Sequence, residues 1–246
     1  MTADNERSNA GPSSTGGADE LQGFSPLYYT FRLGLRTGLR LFWKWRRYGL
    51  EHMPDQGPVI LAANHASFLD PMILGAAFDR EVHFMARKTL FDIPFFGWLI
   101  SKVNAFPVER TGDPRAAMRA MGARLARGQV VLMFPEGTRT HTGFLGELKR
   151  GVGSLAVRYG AAVLPAYVCG SYDSWSRYRP FFQFWPVTVE VGEPIHPRAS
   201  EERAGRKAEE RRVFAQVADR LRALELRAFE RAGRAQILSE RGDARG

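Results

Sequence analysis

Cysteine is nearly absent: the 246-residue chain holds one, Cys169. No disulfide can form within a single chain, and no cysteine-based zinc site is possible. A reducing compartment is the expectation. Cys169 lies in the apolar run 161–170, where a small buried hydrophobe is the ordinary role and a reactive thiol the alternative. Long apolar runs are missing as well. No stretch reaches the roughly 18 charge-free apolar residues of a spanning helix. The N-terminus opens on Ser, Gly, Asn and acidic residues, not on a basic-then-apolar leader. The expectation is a protein neither secreted nor membrane-spanning. A Gly-x-Ser-x-Gly nucleophile elbow is missing too: Gly151-Val152-Gly153-Ser154-Leu155 has its serine in the wrong place. No helix-turn-helix signal, RNA-recognition motif or internal repeat is visible.

Positive charge is in excess. Lys and Arg total 35 against 26 Asp and Glu, a formal net charge of +9. That implies an anionic partner, but charge alone does not separate nucleic acid from a lipid surface. Its location is more telling. Between Phe24 and Leu50 stand Arg32, Arg36, Arg40, Lys44, Arg46 and Arg47 with no acidic residue. Arg32, Arg36, Arg40 and Lys44 recur every four residues and would share a helix face. Leu27, Phe31, Leu35, Leu41, Phe42 and Trp45 fall mostly opposite, while Leu33 and Trp43 blur the division. The pattern describes a helix lying in a bilayer interface. The alternative is a helix packed on the domain with a solvated basic face.

Hydrophobic residues make up 44% of the chain, enough for one domain with terminal extensions. Residues 1–23 are polar and Gly/Ser-rich, a disordered tail by composition, and 239–246 reads as a frayed end. From Pro58 strands and helices alternate. Val59–Ala63, Val82–Ala86, Ala105–Val108, Val130–Phe134, Ala162–Val168 and Val187–Val191 read as strands. Pro71–Phe78, the segment 90–101 broken near Pro94, the segment from Pro114 capped by Asp113, and Gly151–Tyr159 read as helices. The fold class is α/β: one domain over 51–200 with a mostly parallel sheet covered by helices. The 24–50 helix precedes it. A charged amphipathic helix over 201–238 follows, with Val213, Val217, Leu221 and Leu224 as its apolar stripe; it docks on the domain or on a partner.

Two short segments carry the chemistry. His65 follows a strand and stands five residues before Asp70. An imidazole at a strand end can take a proton from a hydroxyl, and a carboxylate can fix its tautomer. The plainer role of Asp70 is an N-cap, with Pro71 at the first helical position. The second segment is Phe134-Pro135-Glu136-Gly137-Thr138-Arg139. Gly137 lets the backbone approach a ligand, and Arg139 offers a planar fork for a phosphate. Glu136 could bind a hydroxyl or hold an arginine; a turn with a surface ion pair is the alternative. Phe106-Pro107-Val108-Glu109-Arg110 ends a third strand; Arg110 is a candidate second phosphate contact, and a merely solvated arginine is the ordinary alternative.

These blocks resemble the lysophosphatidic acid acyltransferases of the glycerolipid acyltransferase superfamily. Asn64–Asp70, Phe106–Arg110, Phe134–Arg139 and Val163-Leu164-Pro165 match the family's four blocks in order, and Lys149-Arg150-Gly151 with Ala156 resembles the segment after the third. The resemblance covers about Leu50–Gly192. It implies that His65 is the general base for the free hydroxyl of a lysophospholipid and that Asp70 orients it. It implies direct attack on an acyl-CoA or acyl-carrier-protein thioester, without an acyl-enzyme. Arg110 and Arg139 would hold the acceptor phosphate in a pocket shaped by Glu136, Gly137 and Thr138. No metal or other cofactor is expected, and no nucleic acid. The other partner would be an anionic phospholipid surface, with the protein peripheral on the cytoplasmic face of the cell membrane. Competing expectations are another lysolipid acceptor, or a non-catalytic protein that binds anionic membranes.

Overall fold

The computed structural model describes residues 26–94, 96–108 and 114–238. The expected tails, Asp113 as a cap and Arg110 lie outside the described residues. In chain order the elements are α1 (Pro26–Phe42), β1 (Arg46–Tyr48), β2 (Val59–Ala63), α2 (Asp70–Ala77), β3 (Val82–Arg87), α3 (Lys88–Phe91), α4 (Phe96–Lys102), β4 (Ala105–Val108), α5 (Pro114–Leu125), β5 (Val130–Met133), α6 (Gly151–Tyr159), β6 (Ala162–Cys169), α7 (Ser171–Trp175), β7 (Thr188–Val191) and α8 (Arg203–Arg231).

Seven strands form one sheet in the order β1-β7-β6-β2-β5-β3-β4. All neighbours run parallel except β6 and β7. The fold is thus α/β with a mostly parallel sheet. The apolar runs explain it: every residue of β2, β5 and β6 is buried, as strands covered on both faces require. Alternate side chains feed two cores. Ile60, Val131 and Val163 meet α5, α6 and α8 on one face. Val59, Leu61, Val130 and Leu164 meet α1 and α2 on the other. The stripe on α8, Val213, Val217, Leu221 and Leu224, is completely buried in the first of these cores. The segment 90–101 splits into α3 and α4 around Pro94.

The expected 24–50 helix does not run its length. Helix α1 stops at Phe42, Lys44 turns through a left-handed φ of 45°, and the Trp43 and Trp45 N–H groups both donate to the Leu39 carbonyl. Trp45 is buried beneath the turn. The chain then joins the sheet edge as β1, where Arg46 N–H donates to the Val187 carbonyl. Two tryptophans and an aromatic-rich run favour an extended, packed conformation over more helix.

The expected basic face is also corrected. Arg32 and Arg36 turn inward onto the C-terminal end of α2. Arg36 Nε donates to the Ala76 carbonyl at 2.7 Å and its Nη2 to the Phe78 carbonyl at 2.8 Å. Arg32 Nη1 reaches the Phe78 and Asp79 carbonyls at 3.1 and 2.6 Å, and Arg47 Nη1 the Ala77 carbonyl at 2.8 Å. A helix end leaves four carbonyls without intrahelical donors and a partial negative charge; these three guanidinium groups meet both needs. Arg40 and Lys44 do face solvent, together with the apolar Leu33, Leu41 and Phe42.

Candidate active site

Strand β2 lies between β6 and β5; the register Ala62↔Met133 brings the ends of β2 and β5 level, while β6 runs on past the Ala63↔Ala166 pair to Cys169. The carboxyl ends of such strands are where open α/β sheets bind ligands. The loop after β2 is tied to both neighbours. On one side the Asn64 amide copies a strand pairing: Nδ2 donates to the Val168 carbonyl at 3.0 Å, and Oδ1 accepts from Val168 N–H at 2.7 Å. On the other, the His65 N–H donates to Glu136 Oε1 at 2.7 Å and the His65 carbonyl accepts from Thr140 N–H at 2.7 Å.

Asp70 closes the loop. It is the first residue of α2 and fully buried, and it makes no capping bond to its own helix. Its Oδ2 accepts from His65 Nδ1 at 2.9 Å and from the Ala66 and Ser67 N–H groups at 2.7 Å each. The N-cap reading of Asp70 is therefore replaced: the carboxylate reaches back into the loop it follows. A carboxylate only accepts, so Nδ1 carries the proton and Nε2 keeps its lone pair. Phe134 stacks on the imidazole, centroids 3.9 Å apart and planes 10° from parallel. Backbone, ring face and Nδ1 are thus all held, and the His65 side chain remains 18% exposed.

The second block wraps this arrangement. Gly137 takes a left-handed φ of 71°, which lets the chain reverse directly after β5. Both oxygens of Glu136 are taken by backbone N–H groups, those of His65 and Gly146, the latter at 3.0 Å. Burial pushes Glu136 up to about 7, against the two N–H donors that favour its charged form. Thr138 and Arg139 line an open cleft of about 820 Å³ together with His141, Lys149 and Arg222. The Arg139 guanidinium lies 3.5 Å from the centre of the Phe68 ring, so the loop of His65 and the loop of Arg139 touch. The third expected strand end is farther off: β4 sits at the sheet edge, separated from β5 by β3.

Several contributors had no signal in the pattern of residue types. Asn64 is one. Glu225 of α8 is another: its Oε1 accepts from Leu145 N–H at 2.8 Å and Tyr167 Oη at 2.9 Å, pinning the segment that carries Gly146. Trp175 is a third, its carbonyl accepting from Ser67 Oγ at 2.8 Å. Cys169 is buried, and burial pushes its thiol up to about 11; it is no nucleophile at neutral pH.

Comparison with known proteins follows the same lines. A family model described as Acyltransferase matches residues 44–169. The 1-acyl-sn-glycerol-3-phosphate acyltransferase of Bacillus subtilis is 30% identical over 165 residues, 67% of this chain and 77% of that one. The enzyme of that name from Pseudomonas aeruginosa is 31% identical over 166 residues, 63% of this chain and 61% of that one. The crystal structure of the 1-acyl-sn-glycerophosphate acyltransferase of Thermotoga maritima superposes with a TM-score of 0.62 at 27% identity, covering 78% of this chain and 79% of that one. This chain belongs to the acyltransferase family.

Proposed function

We propose, from membership of that family, that this chain moves a fatty acyl group from a thioester to the free hydroxyl of lysophosphatidic acid, giving phosphatidic acid. The observation that carries the reading is the His65 Nδ1–Asp70 Oδ2 bond of 2.9 Å, which leaves Nε2 as a base. In the proposed reaction Nε2 takes the hydroxyl proton while the oxygen attacks the thioester carbonyl. The C–O bond forms, the C–S bond breaks, and the imidazolium returns its proton to the leaving thiolate. Buried Asp70 stabilises the imidazolium in between. General-base assistance supplies roughly 10²–10⁴ in rate, and holding both substrates supplies much of the rest.

Arg139, at the cleft wall beside Phe68, is the proposed phosphate contact, with Thr138 and Gly137 shaping the approach. Arg110 is proposed as the second contact on the block resemblance alone. Glu136 acts as a positioning residue, since its oxygens hold backbone groups and not substrate. The donor is acyl-CoA or acyl-carrier protein. Acceptor and product reside in a bilayer, and among the described residues no helix is long and apolar enough to cross one; peripheral attachment to an anionic membrane on its cytoplasmic face is part of the proposal.

The test is product mass spectrometry with lysophosphatidic acid and mixed acyl-CoAs, then acyl-carrier-protein thioesters, for wild type and His65→Ala. Phosphatidic acid from wild type alone is the expected result. Equal turnover by folded His65→Ala would remove the mechanism, and acylation of a different lysolipid instead would remove the acceptor assignment.

A further inference from the structure

The segment 176–187, between α7 and β7, exposes an unusual set of side chains. Phe181 is 81% exposed and Tyr178 61%; Phe182, Phe184 and Trp185 are also solvent-facing. Scattered exposed hydrophobics are ordinary, but a contiguous patch marks an interaction surface. Phe182 and Phe184 form one ring cluster with Phe42 and Trp43 at the end of α1, and Phe181 is their neighbour in the chain. Phe42 stacks on Phe184 with centroids 5.1 Å apart, and Trp43 meets Phe184 edge-on at 4.7 Å. The segment is held in place by backbone bonds from Gln183 N–H to the Ser174 carbonyl and from Val187 N–H to the Trp43 carbonyl.

The two segments that build it carry charge of one sign. No Asp or Glu occurs from Phe24 to Leu50 or from Ser174 to Val189. The fold lays these two acid-free segments side by side, with Arg40, Lys44, Arg46 and Arg179 exposed among the rings. Aromatic side chains at headgroup depth with arginines and lysines between them are the chemistry of a membrane interface. A line of rings also runs inward. Phe182 lies 6.1 Å from Trp175, and Trp175 lies 5.1 Å from Phe68. Phe68 stands between His65 and Asp70 and carries Arg139 on its face.

We infer that this aromatic surface, built from the C-terminal end of α1 and segment 176–187, is the part of the molecule that seats on an anionic bilayer. The inference rests on the peripheral reading above and says which surface does the seating. Arg32 and Arg36, occupied with the end of α2, are not part of it. The line from Phe182 through Trp175 to Phe68 turns the His65 loop toward the bilayer face, so a lysolipid reaches the base without leaving the interface.

The experiment uses the full chain and mixed phosphatidylglycerol–phosphatidylcholine vesicles. Co-sedimentation is measured for wild type, Phe181→Ser, Phe181→Ser/Phe184→Ser and Arg32→Gln/Arg36→Gln, each checked for folding by its melting transition. The expected result is vesicle affinity lowered about tenfold or more by the double serine variant, with Phe181→Ser intermediate. Arg32→Gln/Arg36→Gln should bind as wild type. Turnover of a short-chain, water-soluble acceptor should stay unchanged in the serine variants, while turnover of vesicle-borne acceptor falls with binding. Wild-type sedimentation by a folded Phe181→Ser variant and by the double variant would overturn the surface assignment and leave the peripheral reading intact. Failure of wild type itself to bind would overturn the peripheral reading. A serine variant that changes oligomeric state but not vesicle binding would assign the surface to a second copy of this chain.

Discussion

At its N-terminal end α2 presents one carboxylate, Asp70, to three N–H donors; at its C-terminal end it presents its last carbonyls to Arg32, Arg36 and Arg47. Both ends are charged, partly dehydrated and crowded with short hydrogen bonds. They differ in what is left over. At the C-terminal end the guanidinium groups satisfy carbonyls that a helix cannot satisfy itself, and nothing remains to react. At the N-terminal end the Asp70 contacts consume one imidazole nitrogen and leave the other, the proposed base, with its lone pair. A dense polar cluster is therefore no mark of chemistry by itself; the N-terminal cluster is the candidate because it leaves a directed lone pair.

Four substitutions would break or sharpen that contrast. The largest effect is expected from His65→Ala. Turnover should fall by roughly 10²–10⁴, while stability changes by about 1 kcal/mol for the lost stacking on Phe134. Steady-state rates beside urea denaturation check both. Asp70→Asn should come next. The amide oxygen can keep the backbone donors but lacks the charge that stabilises an imidazolium, so turnover should fall about 10²-fold. Its NH2 is buried where Asp70 Oδ1 now makes no hydrogen bond, at a cost of about 1–3 kcal/mol. A rate loss equal to that of His65→Ala would mean that Asp70 does more than orient the ring.

Glu136→Gln tests the strut between the two blocks. One amide oxygen cannot serve two N–H donors, so stability should drop by about 1–3 kcal/mol. The pH dependence should change as well. Folded Glu136 titrates at about 7 against 4.5 for the free group, so the native state holds a proton that the unfolded state has lost. Its contribution is greatest below about 4.5 and is lost as pH rises through about 7, by at most about 3 kcal/mol. The stability difference between wild type and Glu136→Gln, measured on both sides of that window, should shift against wild type as pH rises. A flat difference would remove the titration. Arg36→Gln should have the smallest effect on rate. Stability should fall by about 1–2 kcal/mol from the lost carbonyl contacts, and kcat/KM should stay within about twofold. The Asp79 partner is 91% exposed and adds little. A rate loss like that of Asp70→Asn, with stability intact, would make both ends of α2 part of one site.

Legibility in the sequence followed the kind of force involved. Apolar periodicity was readable because burial acts on every residue of a stripe. Hence β2, β4 and α6 have their expected bounds, and Val213, Val217, Leu221 and Leu224 lie in the core. Charge was not readable in the same way. Arg32 and Arg36 look alike whether they face a membrane, water or the carbonyls of another helix, and only the fold supplies the carbonyls. Edge strand β1 was hidden because three residues carry too little pattern. In the candidate site, residue type and spacing picked out His65, Asp70 and the 134–139 block, which the fold brings into contact. Asn64 and Glu225 did not, since an amide or carboxylate that satisfies distant backbone has no local spacing to betray it. The aromatic surface was hidden because its halves are more than a hundred residues apart in the chain.

The clasp between Asn64 and Val168 spans 104 residues, and that between His65 and Glu136 spans 71. Each closes a long loop whose entropy must be lost before the contact can form. The Asp70 bonds to His65, Ala66 and Ser67 are local, but the ties that fix the loop of His65 against its neighbours wait for the meeting of β2, β5 and β6. During refolding, helical signal can return while β6 is still unpaired, but the loop of the proposed base then lacks its tie to Val168. On the proposed mechanism, recovery of turnover during refolding would report that β2, β5 and β6 have met, a long-range step that helical signal does not see.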